Sequence, residues 1–246
     1  RIVANAQVNR ERRQKIALSH TATHILHNAL RNVLGDHVSQ AGSLVEPERL
    51  RFDFTHYEAV SSSQIREIEA FVNQKIRANS QIAIVEMPLQ EAKDRGALAF
   101  FGDKYGDIVR MVEIGDYSIE LCGGTHIDTT GEIGLVKIIS ESSIAAGTRR
   151  IEALTGESAY LHQRDEGDLL KDISGVLKLQ RDQILERIGK LLDANRDLER
   201  QVKELQSKIT MNRTTDLVDE VISVSGISIL AKVVENIDRG KIGRAH

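Results

Sequence analysis

Two short segments carry residues able to bind one metal ion together: His20-Thr-Ala-Thr-His24, and Cys122-Gly-Gly-Thr-His126 about a hundred residues further on. One thiolate and three imidazoles form a donor set that suits zinc. Histidines four apart share one face of a helix, a turn from each other. Ala22, Ile25, Leu26, Ala29, Leu30, Val33 and Leu34 repeat at helical spacing and predict the buried stripe of such a helix. At roughly 100° per residue, His20, His24 and His27 fall on the opposite side and are not expected in the core. Cys122 is the single cysteine, and it follows Ser118-Ile-Glu-Leu121, which alternates like a short strand. Gly123 and Gly124 allow a tight turn that aims Cys122 and His126 the same way. Taken apart, the histidine pair reads as a solvated helix face and the cysteine as a small hydrophobe. Together they read as one site. A zinc protease would need a glutamate where Thr21 stands, a zinc finger a second cysteine, and a deaminase a Pro-Cys-x-x-Cys element that is absent.

The elements that must position these residues follow from periodicity. Strands are predicted over 48–54, 82–87, 108–114, 118–121 and 133–140, with Pro47 and Pro88 as punctuation. Helices are predicted over 62–78, with a serine start and an apolar stripe of Ile65, Ile68, Phe71, Val72 and Ile76, and over 89–101; 102–106 reads as a loop. This order supports an α+β fold, a mixed sheet with helices. From about Asp165 the chain turns to charged stretches punctuated by Leu170, Ile173, Leu177, Ile184, Ile188, Leu191, Leu198, Val202, Leu205 and Ile209. Gln180 and Asn195 take seam positions in this interrupted heptad pattern, which predicts a coiled coil or helical hairpin. An amphipathic helix lying on the globular part is the alternative, and Gly189 argues against one unbroken rod. Residues 220–231 read as two strands around Gly226.

Five motifs stand in order over about 150 residues: Ser19-His-Thr-Ala-Thr-His-Ile-Leu26, Gln40-Ala-Gly-Ser43, Leu50-Arg-Phe-Asp-Phe54, Glu120-Leu-Cys-Gly-Gly-Thr-His126 and Gly147-Thr-Arg-Arg-Ile-Glu-Ala153. In this register the chain resembles the editing-domain family of alanyl-tRNA synthetases and free-standing alanyl-tRNA editing proteins, and less closely the threonyl branch. The resemblance implies hydrolysis of the ester joining serine or glycine to the acceptor end of alanine tRNA. An alanine pocket cannot strongly exclude smaller glycine, and an added hydroxyl is poorly rejected by binding alone, so a second hydrolytic sieve is needed. It further implies Zn2+ held by His20, His24, Cys122 and His126, either closed by four ligands or open to water. Gln40 is implied as a contact to the aminoacyl ester or attacking water, Thr23 as a hydrogen-bond partner of the serine hydroxyl, and Arg51 and Arg149 as tRNA contacts. The helical arm is more similar to the synthetase than to short free-standing editing proteins, and the start of a small α/β C-terminal domain follows it. No ATP-binding motif of a synthetase catalytic domain is visible. A non-catalytic zinc-stapled module for tRNA docking or dimerisation, and a standalone deacylase, are the rival readings.

Composition frames the site. Lys plus Arg is 33 against 36 acidic residues, a net charge of −3, so tRNA contact must come from local patches. The densest basic run is Arg10, Arg12, Arg13 and Lys15. With 41% hydrophobic but only 4% aromatic residues, the core must be aliphatic. A single cysteine excludes an internal disulfide, and no signal peptide or membrane-spanning run is visible, so a cytoplasmic place is the default. The expected division is residues 1–15 as the end of a preceding domain, 16–160 as the editing domain, 165–209 as the arm and candidate homodimer contact, and 210–239 as the opening of the C-terminal domain. Residues 240–246 read as an appended or truncated tail, and the missing initiator methionine suggests an excised piece.

Overall fold

The structure, a computed structural model, describes residues 4–99, 105–218 and 221–230. The expected loop at 102–106 therefore falls largely outside the described residues, as does the tail at 240–246. Helix α1 (Arg10–Leu34) starts where the Asn9 side chain accepts from Arg12 N and stops at Gly35, whose φ of 117° a side chain would resist. Strands β1 (Gln40–Val45) and β2 (Arg49–Thr55) form a hairpin, followed by α2 (Ser62–Arg77), which opens on a capping box of Ser61 and Gln64. Then come β3 (Ile82–Pro88), α3 (Leu89–Asp94), β4 (Ile108–Ile114), β5 (Ser118–Leu121), β6 (Val136–Ala145), β7 (Thr148–Thr155) and α4 (Gly156–Leu177).

Among the described residues these strands form two sheets, ordered β1-β2-β7-β6 and β3-β4-β5. The α+β class holds, but the expectation of a mixed sheet does not: every ladder in both sheets is antiparallel. Most neighbouring strands follow one another closely in sequence, and short connections reverse the chain, whereas a parallel pair needs a long crossover. The helix expected over 89–101 ends at Asp94, with Gly96 at a φ of 83° just beyond. The strand expected over 133–140 begins at Val136, because 130–133 close into a 3-10 turn.

Leu50, Phe52 and Phe54 of β2 turn into the core, while Arg51 and Asp53 alternate onto the other face, where Asp53 accepts two hydrogen bonds from Arg150 at 2.7 and 2.8 Å. That pairing holds the Asp53 carboxyl below the usual range. Above the inner face lies α1, in contact with α2, β1, β2, β5 and β7. Ile25, Leu26 and Leu30 are fully buried in this layer, each contributing about 2 kcal/mol of hydrophobic stabilisation.

The chain divides into two compact units at Leu169/Leu170. In the second, α5 (Ile184–Val218) continues through Gly189; the interruption of the arm lies instead just after α4, where Lys178 has a φ of 53°. The two strands expected around Gly226 are present as β8 (Ile222–Val224) and β9 (Ile227–Ile229). Among the described residues, no helix is long and apolar enough to cross a membrane.

Candidate metal centre

The fold brings the two separated segments together. His20 and His24 lie on α1, Cys122 and His126 on the loop after β5, and one ligand atom from each falls within 4.8 Å of all the others. The imidazoles of His20, His24 and His126 have ring centroids 4.4–5.1 Å apart. Cys122 Sγ lies 3.4 Å from His20 Nε2. Donors on a tetrahedral ion with bonds of about 2.0–2.3 Å are about 3.3–3.8 Å apart, so the set closes on an ion with shifts of about 1 Å or less.

Each histidine presents its outer nitrogen through a contact at the inner one. His20 Nδ1 lies 3.3 Å from the Thr125 carbonyl oxygen, His126 Nδ1 lies 3.1 Å from Thr21 Oγ1, and His24 Nδ1 lies 2.5 Å from Glu120 Oε2 in an ion-pair contact. The buried His126 Nε2 has no partner in the protein, as expected of an atom reserved for a metal. The loop is fixed from behind by Arg110 of β4, which donates to the carbonyls of Cys122 (2.8 Å) and Gly124 (2.7 Å). Gly124 is required by closeness: a Cβ there would lie 1.9 Å from His20 Cε1.

Burial resists ionisation of the Cys122 thiol, yet the imidazoles of His126, His20 and His24 around it hold it far below its usual range. Burial also opposes charge on His24, but the Glu120 carboxylate and Cys122 outweigh it and raise His24. Burial would raise Glu120, whose carboxyl is nevertheless held low by His24 and His27. One thiol and three imidazoles converging within 4.8 Å form a donor set that a divalent cation such as zinc satisfies. The residues fit a metal ion.

The expectation that His20, His24 and His27 avoid the core fails for two of them. His24 and His27 are 7% and 1% exposed, because β5 and Phe52 of β2 cover the side of α1 opposite its apolar stripe. A helix held between two layers is buried around its circumference, which an amphipathic reading does not anticipate.

Beside the histidines lies a small cavity of about 80 Å3, lined among others by Thr23, Gln40, Ser43, Phe52 and the ligands His20, His24 and Cys122. At roughly 30 Å3 per water it holds two or three waters, or a small aminoacyl group. Gln40 stands opposite Phe54 and Ser43 opposite Phe52, four residues against three, because β1 carries a bulge between Gln40 and Gly42. That bulge turns both polar side chains to the same side, and the Gln40 amide donates to Ser43 Oγ at 3.2 Å. The Thr23 hydroxyl donates to the Ser19 carbonyl at 2.8 Å, leaving its oxygen to accept.

Arg51 and Arg149 do not line this cavity. Arg149 is held by Glu141 through two nitrogens, and Arg51 Nε lies 3.8 Å from Asp53 Oδ1. Glu120, Thr21 and Ser43 were not singled out from sequence. For Glu120 a signal existed: strand alternation places Ser118, Glu120 and Cys122 on one side, and Ser118 and Glu120 are buried.

Residues 109–152 match the threonyl and alanyl tRNA synthetase second additional domain, a span that includes Cys122 and His126. The chain is 48% identical over 233 residues to alanine–tRNA ligase of Acetivibrio thermocellus, covering 95% of the chain and 26% of the relative. It is also 48% identical over 233 residues to that of Hydrogenovibrio crunogenus, and 45% identical over 237 residues to that of Bacillus mycoides, covering 95% and 96% of the chain and 27% of each relative. The chain therefore spans about a quarter of the length of the curated relatives it matches. With identity of 45–48% sustained over nearly all its residues, the chain belongs to the alanyl-tRNA synthetase family.

Proposed function

We propose that this chain is the editing part of an alanine–tRNA ligase, hydrolysing the ester of Ser-tRNA(Ala) and Gly-tRNA(Ala) at a zinc centre. The observation that carries this reading is the convergence of four metal donors, three of which line one small cavity together with Gln40 and Thr23. Bound zinc would supply a Lewis acid beside the ester where a coordination position is open, or a fixed positive charge where all four residues hold it. Gln40 orients the aminoacyl ester or the attacking water, and Ser43 fixes the angle of its amide. Thr23, whose proton is committed to Ser19, accepts a hydrogen bond from the serine hydroxyl. Phe52 and Leu121 limit the cavity to small side chains.

Arg51 and Arg149 take tRNA phosphates by exchanging their present carboxylate neighbours, Asp53 and Glu141, for the ligand. The ATP-dependent attachment of alanine belongs to other parts of the full enzyme, which works in the cytoplasm. The editing domain occupies residues 16–160, after the end of a preceding domain, and the arm and the opening of a C-terminal domain follow.

Replacing Thr23 with valine tests the serine contact, since the shape is kept and the hydroxyl lost. Hydrolysis of Ser-tRNA(Ala) is expected to fall about 10–100-fold while Gly-tRNA(Ala) changes little, because a site that hydrogen-bonds a hydroxyl gains nothing from a substrate without one. Equal loss with both substrates would remove Thr23 from recognition.

The arm has its own role in this reading. Ile188, Leu191, Asn195, Leu198, Val202, Leu205 and Ile209 alternate at steps of three and four along α5, with β-branched residues and one asparagine at a positions and leucine at d. The apolar members are 40–58% exposed, and this composition specifies a parallel two-stranded coil with a second copy of the chain. Sedimentation equilibrium is expected to show a dimer at micromolar concentration, converted to monomer by Leu198→Glu; a monomeric parent protein would exclude the coil.

A further inference from the structure

We propose that Glu120 is a positioning residue of the metal centre, fixing the tautomer and ring angle of His24 while His27 holds its second carboxylate oxygen. The inference rests on the metal reading above and extends it to residues that touch no ion. A neutral imidazole offers a lone pair at one nitrogen only, and the group bound at the other nitrogen decides which. For His20 and His126 the neighbours at Nδ1 are uncharged, the Thr125 carbonyl and the Thr21 hydroxyl. For His24 alone it is a carboxylate, with Oε2 2.5 Å away. That close contact places a charged acceptor behind one ligand of the set and leaves the other ring nitrogen of His24, Nε2, on the Cys122 side.

The carboxylate is itself held. Its Oε1 lies 3.2 Å from His27 Nδ1 and accepts from Ser118 Oγ at 3.4 Å, and Glu120 is 4% exposed. Its backbone is clamped on both sides: Glu120 pairs with Val112 of β4, and Leu98 bridges it from the other edge through Leu98 N to Ile119 O and Leu121 N to Leu98 O, both 2.9 Å. His27 rests against Phe52, with ring centroids 5.3 Å apart, so the support is packed as well as hydrogen-bonded. Glu120 and His27 also form the shared wall between the cavity at the ligands and a second one of about 260 Å3 that includes Asn28, Arg31 and Tyr117. Movement of the carboxylate would therefore open the ligand side of the site to that space.

The test compares the parent protein with E120Q, E120D and H27Q. Zinc dissociation constants are measured by chelator competition, cobalt(II) absorption reports ligand geometry, and thermal unfolding of the metal-free forms reports the fold. Zinc binding is expected to weaken roughly 10–100-fold in E120Q, with an altered cobalt spectrum, and to recover partly in E120D, which restores the charge. H27Q is expected to weaken zinc binding less, by roughly 2–10-fold, since it loosens only one support of the carboxylate. Zinc affinity and a cobalt spectrum in E120Q and H27Q that match the parent would overturn the positioning role. Should metal-free E120Q fail to fold, H27Q alone decides by the same criterion. A parent protein that binds no zinc would overturn the metal reading as well.

Discussion

Replacing Cys122 with alanine is expected to lower zinc affinity by about 100–1000-fold and to abolish measurable ester hydrolysis with it. Structural zinc sites contribute roughly 10–16 kcal/mol in all, so one of four ligands accounts for about 2.5–4 kcal/mol, or two to three decades. The thiolate is the single anionic donor of the set, and no other cysteine exists to replace it. His126→Ala should have a similar effect, since its Nε2 is buried with no other partner in the protein. Cys122 only packs against the edge of the apolar core and His126 is not part of it, so unfolding temperatures of the metal-free variants should lie within a few degrees of that of the metal-free parent. Chelator competition beside calorimetry checks both statements. Zinc retained at parent affinity in Cys122→Ala would remove the thiolate from the site.

Gly124→Ala should be nearly as damaging although it deletes no ligand. The added methyl would lie 1.9 Å from His20 Cε1 and 2.4 Å from His20 Nδ1, far inside contact distance. The loop has little room to retreat, because Arg110 holds the carbonyls of Cys122 and Gly124 together. His20 must leave its rotamer instead, which takes one imidazole out of the cluster and costs about 1–3 kcal/mol in overpacking. Zinc affinity is expected to fall at least about 100-fold. Gly123→Ala is the control, since a Cβ there meets nothing within 4 Å, and it should bind zinc within a few-fold of the parent. Equal effects of the two substitutions would mean that loop flexibility rather than contact with His20 governs the site.

The donor set was legible in sequence because both halves carry local geometry. A four-residue helical step aligns His20 with His24, and a diglycine turn aims Cys122 and His126. What could not be read was what covers them. The second face of α1 is closed by β5 and β2, elements distant in sequence, so His24 and His27 are buried against expectation. Strand β1 was hidden because Gln40-Ala-Gly-Ser43 is polar and glycine-bearing, like a loop, and only pairing with β2 makes it a strand. Its bulge, which brings Gln40 and Ser43 to one side, is a matter of register and leaves no periodic trace. Arg149 was expected as a tRNA contact, and its carboxylate neighbour Glu141 could not be foreseen because only the pairing of β6 with β7 brings it alongside. The strands 82–87, 108–114 and 118–121 were readable to within a residue, since proline and glycine punctuate them and their apolar runs are short.

The most direct measurement is release of amino acid from Ser-tRNA(Ala), Ala-tRNA(Ala) and a seryl-tRNA of another identity by the zinc-loaded chain, beside the Cys122→Ala, His126→Ala double variant checked for retained fold. Selective hydrolysis of Ser-tRNA(Ala), lost in the double variant, is the expected result. Undiminished hydrolysis by a folded, zinc-free double variant, or no hydrolysis by the zinc-loaded parent at concentrations that saturate tRNA binding, would contradict a zinc-centred editing hydrolase.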